Sequence, residues 1–266
     1  MHCSDLKKRQ GKNMKILIKN MIFTFPFLLA GCDKDESLKP PPDGEMVSVI
    51  AKMPADSKIL PLGIMYRSTT CLKSRKNSNG DVVKEPGYHF IEKEFNPVSG
   101  DSIFNLEISR DGGGQCNWRL SNITLGFNLK EPPSDKDEKS ENIPIKEIVV
   151  FDGNSPQRLS GSYEVINGNV TLKGDYFPLI TKRRGIGSPV EYSIVRSSPD
   201  VIYKSTSAKE VVFEPRLHFL KTLHATEPAV QKVGEYISVL YPDGTIENGP
   251  YFPNYKKLQL LSKGSG

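Results

Sequence analysis

The sequence predicts a mainly β protein built as two β-rich, sandwich-like lobes, and three observations carry that expectation. Twenty prolines and 22 glycines in 266 residues disfavour a helix bundle, because an interior Gly or Pro costs roughly 1–3 kcal/mol in a helix. The apolar residues fall in short runs bounded by turn residues, and several runs alternate as one-sided strands require. A polar stretch at 131–142, from Glu131-Pro132-Pro133 to Glu141-Asn142, separates strand-rich regions at 45–130 and 143–266. It has no apolar side chain to bury besides its prolines and reads as a linker. With 37% hydrophobic and 25% charged residues, the chain fits neither a polytopic membrane protein nor a disordered one.

The elements follow in order. Met46 to Ala51 and Ile59 to Tyr66 are short apolar runs with breakers. Gly87 to Phe95 is β-rich, with aromatics at alternate positions, Tyr88 and Phe90. Ser102 to Ile108 alternates in its second half, and in Cys116 to Phe127 the residues Cys116, Trp118 and Leu120 share one face. Asn77-Ser78-Asn79-Gly80-Asp81 and Asp111-Gly112-Gly113-Gly114 are turn signals between these runs. In the second half, Ile145 to Phe151, Val190 to Val195 and Val211 to Phe219 read as strands. Tyr163 to Leu172, centred on Asn167-Gly168, predicts a type I′ hairpin, since both turn residues accept positive φ. Tyr236 to Ile246, around Asp243-Gly244, predicts another. Helix is scarce, with a turn or two expected at Ser205 to Val212 or Glu227 to Val233.

The N-terminus carries the clearest address. Residues 1–31 read as a signal peptide whose start is Met14: Lys15 and Lys19 precede an apolar run of about ten residues, Met21 to Ala30. A membrane-spanning helix needs about 20. Leu29-Ala30-Gly31-Cys32 resembles the bacterial lipobox. The resemblance implies diacylglycerol transfer to the Cys32 thiol, cleavage after Gly31 and acylation of the new amino group. Several acyl chains exceed the two signals a stable anchor needs. Asp33 resembles an inner-membrane retention signal but Lys34 does not reinforce it, so the choice of membrane stays open. Residues 32–44, with Pro40-Pro41-Pro42, read as a lipidated flexible tether. Lys7, Lys8, Arg9, Lys12, Lys15 and Lys19 against Asp5 place the whole net charge of +5 in the leader. The neutral remainder gives no electrostatic case for nucleic acid.

Beyond Cys3 in the leader and Cys32, two cysteines are left, Cys71 and Cys116. In an oxidising periplasm they are expected to pair, closing a loop worth about 4 kcal/mol by chain entropy. No catalytic constellation is present: G-x-S-x-G, H-E-x-x-H and Walker A are all missing from the sequence. His218 and His224 are six apart, which suits neither a helical nor a strand ligand pair. The reading is therefore not an enzyme, with no cofactor and no metal. Lys182-Arg183-Arg184 forms a basic cluster before Gly185-Ile186-Gly187, and Arg67, Lys73, Arg75 and Lys76 form a second. These are the candidate partner-binding residues, Arg67, Arg75, Lys182, Arg183 and Arg184 foremost.

Three strings bear a resemblance: Met65-Tyr66-Arg67-Ser68-Thr69-Thr70-Cys71, Gly87-Tyr88-His89, and Asp111-Gly112-Gly113-Gly114-Gln115-Cys116-Asn117-Trp118-Arg119-Leu120-Ser121-Asn122-Ile123-Thr124. With the lipobox, they resemble enterobacterial lipoproteins encoded beside type VI secretion genes, in particular immunity lipoproteins paired with phospholipase effectors. The resemblance covers roughly residues 14–130, and no motif of that group marks its effector contacts. It implies a membrane-anchored, periplasm-facing protein that binds a lipase toxin and neutralises it. A structural or assembly lipoprotein of the envelope or secretion apparatus is the alternative, separated by whether a lipase gene lies next door. The leader makes a first prediction. Mass spectrometry of the membrane fraction is expected to find Cys32 as an acylated N-terminus, and an unmodified chain retaining Phe23 to Ala30 would contradict it.

Overall fold

The computed structural model describes residues 35–100, 102–130, 140–154, 162–184, 190–228, 232–249 and 253–264. The segment 1–31 expected to be a signal peptide, and Cys32, lie outside them, and the elements named next are those of the described residues. Eighteen strands and one helix follow in order: β1 (Met46–Lys52), β2 (Ser57–Ile59), β3 (Leu62–Lys76), β4 (Val82–Lys93), β5 (Asn96–Ser99), β6 (Ile103–Ser109), β7 (Asp111–Gly113), β8 (Trp118–Leu129), β9 (Ser140–Asn142), β10 (Ile145–Val150), β11 (Ser162–Val165), β12 (Val170–Lys182), β13 (Val190–Arg196), β14 (Val201–Lys204), β15 (Glu210–Leu217), β16 (Leu223–Thr226), β17 (Ile237–Leu240), β18 (Ile246–Gly249) and α1 (Tyr255–Lys263). The first sheet runs β11-β14-β10-β8-β3-β4, with β2 and β7 also paired to β8. The second runs β18-β17-β16-β12-β15-β1-β6-β5, with β13 added to β12 and β9 to β13. The sheets pack face to face, as a sandwich does.

Local pattern explains why the inner strands sit where they do. Val47, Val49 and Ala51 alternate inward from β1, and Val211 and Phe213 do so from β15. From the first sheet Ile64, Ile123, Leu125 and Phe127 meet them in one core. Phe127 lies edge-on to Tyr176, ring centroids 5.4 Å apart, and against Phe213 at 5.9 Å. Such aromatic contacts add about 0.5–1.5 kcal/mol beyond the area they bury.

The two expected lobes are one body. Lys34–Gly266 forms a single compact unit, because each sheet takes strands from both halves of the chain. β1 lies between β6 and β15, pairing in parallel from Ser48↔Glu210 to Ala51↔Phe213. β8 pairs antiparallel with β10, from Phe127↔Ile145 to Asn122↔Val150. Of the polar stretch, 131–139 lies outside the described residues, and Ser140–Asn142 is not linker but strand β9, paired with β13. A polar segment shows only that it is itself unburied; whether its flanks share a core depends on strands far away in sequence.

Two further expectations are corrected. Asn167-Gly168 does not close a hairpin: β11 before it joins β14 in the first sheet, while β12 after it joins β15 in the second. Gly168 has the expected positive φ of 87°, but the turn serves as a crossing between sheets. Ser205 Oγ donates to Gly168 O, and Asn169 Oδ1 accepts from the backbone N–H groups of Lys209 and Glu210. Between Ser205 and Val212 the chain forms a turn and then β15 rather than helix. The helix is α1, capped by Asn254, whose Oδ1 accepts from Lys257 N. Leu258 is buried against Phe177, Leu223 and Tyr241 in a satellite core. The hairpin around Asp243-Gly244 forms as expected, β17 against β18.

The tether is also less free than its prolines suggest. From Asp35 onward it is docked on the body. Trp118 Nε1 donates to Glu36 O at 3.0 Å, Lys39 N donates to Gly112 O at 2.8 Å, and Leu38 packs against the core. The glycine run is the cradle: a Cβ on Gly113 would stand 2.1 Å from Lys39 O, and one on Gly114 2.5 Å from Ser37 O. Those glycines permit backbone to lie on backbone, a different role from the open turn the sequence suggests.

A charged group crosses the interior. Glu147 of β10 and Arg196 of β13 are both buried and meet at 2.9 Å. Tyr176 donates to the second carboxylate oxygen at 2.7 Å, and Arg196 also reaches the Tyr203 hydroxyl at 3.5 Å. Burial pushes the Glu147 carboxyl up, while the guanidinium and the Tyr176 hydroxyl pull it back. Breaking such a pair from one side leaves a buried charge uncompensated, at a cost of about 3–5 kcal/mol. Urea unfolding of Arg196→Ala is therefore expected to show a loss of that order, largely restored in the Glu147→Leu/Arg196→Met double variant. A single-variant loss under about 1 kcal/mol would show that the pair carries little of the packing.

Candidate functional site

The outer face of the first sheet, turned away from the core, is apolar where a solvated face is ordinarily polar. Register places Tyr163, Ile202, Ile148 and Thr124 in one cross-strand row, and Val165, Lys204, Val150, Asn122, Met65 and Phe90 in the next. Ile148, Val150 and Ile202 form a small cluster of their own. Towards the β4 edge the face opens: Tyr88 is 42% and Phe90 51% exposed. Here lies an open cavity of about 210 Å³, lined by Met65, Arg67, Tyr88, Phe90, Asn122, Thr124 and Ile148.

Arg67 gives the cavity its chemistry. It is half-buried on β3, opposite Tyr88 on one side and Arg119 on the other. Its Nε is buried without a hydrogen-bond partner, and among the described residues no ion pair engages it. The neighbouring charges are committed: Arg119 pairs with Asp111 at 2.9 Å, and Lys73 Nζ stands 4.4 Å over the Tyr88 ring. The cavity therefore offers apolar walls with one guanidinium ready for an anion. A carboxylate takes such a group in a charge-assisted, frequently bidentate hydrogen bond.

The disulfide sets the rim. Cys71 and Cys116 are bonded, Cα atoms 5.3 Å apart, as expected. It ties β3 to the turn before β8 where the β3–β4 register shifts between Ser68 and Leu72. Ser68 Oγ and Thr70 Oγ1 both donate to Cys116 O, and Cys71 N donates to Ser68 Oγ. Arg67, one residue before this knot, is thereby held in place.

The other sequence-derived candidates do not gather here. Arg75 lies further along β3, paired with Glu85 at 2.9 Å. Lys182 ends β12 in the second sheet and Arg183 and Arg184 follow it; Arg183 pairs with Glu191, and Arg184 N donates to Glu227 Oε2. The two basic clusters thus occupy different sheets. Cys32 lies outside the described residues. His218 bonds Asp175 at 2.8 Å and stacks on Phe177, and His89 lies edge-on to Trp118. The lining residues not foreseen from the sequence are Met65, Tyr88, Phe90, Asn122, Thr124 and Ile148. Tyr88 and Phe90 do alternate, but alternation gives two faces and does not say which one is covered. No protein-family model matches the chain, and neither the curated proteins nor the solved structures contain a match.

The knot makes a prediction. Replacing both cysteines, Cys71→Ala/Cys116→Ala, is expected to lower the unfolding free energy by about 2–4 kcal/mol in denaturant titration. A loss well below 1 kcal/mol would show that the strand pairings alone hold this corner.

Proposed function

We propose that the chain is a periplasm-facing lipoprotein that binds a phospholipase toxin and inhibits it by occlusion, as the immunity partner of a type VI secretion effector. The observation that supports this reading best is the open aromatic cavity with Arg67. It suits an apolar side chain of a partner protein flanked by a carboxylate, an arrangement of buried anchor and matched charge typical of interface hot spots. The lipobox gives the compartment in which a disulfide persists. Inhibition by occlusion needs a stable interface of about 1,200–2,000 Å² in total and no catalytic group of its own. The apolar outer face of the first sheet is the surface we assign to that contact.

The deciding experiment mixes the purified mature protein with the lipase encoded beside it and follows phospholipid hydrolysis. Stoichiometric loss of activity is expected, and Arg67→Glu should raise the concentration needed for half inhibition at least tenfold, since truncating a hot-spot group typically costs 2 kcal/mol or more. Full lipase activity in the presence of excess protein would overturn the proposal in favour of a structural or assembly lipoprotein.

A further inference from the structure

Strands β3 and β4 outrun their sheet. β8 pairs with β3 no further than Arg67↔Arg119, whereas β3 and β4 continue together from Leu72↔Pro86 to Lys76↔Val82. Leu72–Pro86 is thus a two-stranded ribbon projecting past the sheet, closed by the Asn77–Asp81 turn and stapled at its root by Cys71–Cys116.

The ribbon has two unlike faces. Paired residues share a face, and so do residues two apart on a strand. One face carries Lys73, Arg75, Val83 and Glu85, with the Arg75–Glu85 ion pair. The other carries Leu72, Ser74, Lys76, Val82, Lys84 and Pro86. On that second face Leu72 is 49% and Val82 66% exposed. It holds two lysines and no carboxylate. Such a face, apolar with cations that can reach past it, suits a surface bearing fixed negative charge above hydrocarbon.

The place of the N-terminal segment says which surface lies nearest. Asp35 N donates to Gln115 Oε1, and Glu36 O accepts from Trp118 Nε1 beside His89. Gln115 adjoins Cys116, so the leader junction is fastened at the ribbon's root. The hydrogen bond from Lys39 holds the Asp35 carboxyl well below the usual carboxylate range, closing this end of the segment with an ion pair. Two residues, Asp33 and Lys34, separate Cys32 from Asp35, so three peptide steps give a reach of about 10 Å. A lipid on Cys32 would therefore hold the ribbon root within about that distance of the bilayer.

We infer that the Leu72–Pro86 ribbon lies on an anionic phospholipid surface through its face of Leu72, Val82, Lys76 and Lys84. The geometry rests on the lipoprotein reading above, but the test does not, since it uses the chain from residue 32 with Cys32→Ser, which carries no lipid and retains the whole compact unit. Co-sedimentation is measured with phosphatidylcholine vesicles with and without phosphatidylglycerol. Binding is expected only with phosphatidylglycerol, to weaken as salt is raised, and to fall at least tenfold in Lys76→Glu/Lys84→Glu, each lysine near such a surface contributing about a fivefold factor. Lys76→Arg/Lys84→Arg should bind as the parent does. The lone tryptophan, Trp118, sits buried at the ribbon root and reports by its emission that each variant is folded; if the reversal variant is not, Leu72→Ser/Val82→Ser replaces it with the same expected loss. Equal binding to both vesicle types, or folded reversal variants that bind like the parent, would overturn the inference. So would a reversal variant that keeps vesicle binding but no longer inhibits the lipase, which would assign the face to protein contact. Absence of lipid on native Cys32 would remove the lipoprotein reading while leaving vesicle binding by the ribbon intact.

Discussion

The buried meeting of Glu147 and Arg196 constrains the relation between the two sheets more tightly than any apolar contact. Leu, Ile and Val side chains tolerate a shift of one strand past another, because the hydrophobic effect has no direction. A buried carboxylate and guanidinium do not, since a displaced partner leaves a bare charge in a low-dielectric interior. Here β10 and β14 supply Glu147 and Tyr203, while β12 and β13 supply Tyr176 and Arg196. The four side chains register the first sheet upon the second. Phe127, between Tyr176 and Phe213, fills the space beside them. With that face fixed, the opposite face of the first sheet is fixed as well, and with it the positions of Ile148, Thr124 and Arg67.

That opposite face explains a feature of the sequence that the core does not need. β10 reads Ile145-Lys146-Glu147-Ile148-Val149-Val150, apolar on both sides. Val149 points into the common core, while Ile148 and Val150 belong to the outer cluster. Ile148 and Val150 are buried with Ile202 in that cluster, and the face opens only towards Tyr88 and Phe90, where exposed apolar surface of this kind commonly marks an interaction site. Beside it stands the Arg67 guanidinium, which among the described residues has no counter-ion. Apolar area supplies attraction, and an unpaired charge penalises every partner that fails to match it.

Disulfide, glycine cradle and projecting ribbon converge on one corner. Each is individually ordinary. Together they convert the N-terminal segment from a leash into a mount, because the backbone from Asp35 to Lys39 is hydrogen-bonded to the same turn that carries Cys116. Gly112 to Gly114 are needed for that close approach, and the disulfide keeps the turn from opening under it.

Much of this fold is legible in the sequence, and the boundary between what is and what is not has a physical origin. The order of residues alone determines which segments are extended, because alternation and breaker content act locally: Val47-Ser48-Val49, Trp118 with Leu120, and the Asp243-Gly244 hairpin stand as the pattern indicates, whereas Cys116, expected on the same strand, lies in the turn before it, where Asn117 has φ 48°. It also indicates the Cys71–Cys116 bond, the one pairing left of four cysteines when Cys3 and Cys32 are read as leader and lipid site. Of the cavity it supplies Arg67 alone. What the tertiary structure decides is which partner each extended segment takes. Asn167-Gly168 marks a positive φ in any context, yet whether the strand beyond it folds back or crosses to the other sheet depends on β15, about 40 residues on. The same holds for β1, whose neighbour β15 lies some 160 residues away and whose insertion makes one body of two apparent lobes. Strand hydrogen bonds carry no residue identity, so their partners are chosen by the packing of side chains from distant parts of the chain. Tyr88 and Phe90 come to line the open cavity for the same reason: a strand's own alternation separates its two faces, but only the second sheet, by covering one of them, leaves the other open at this edge.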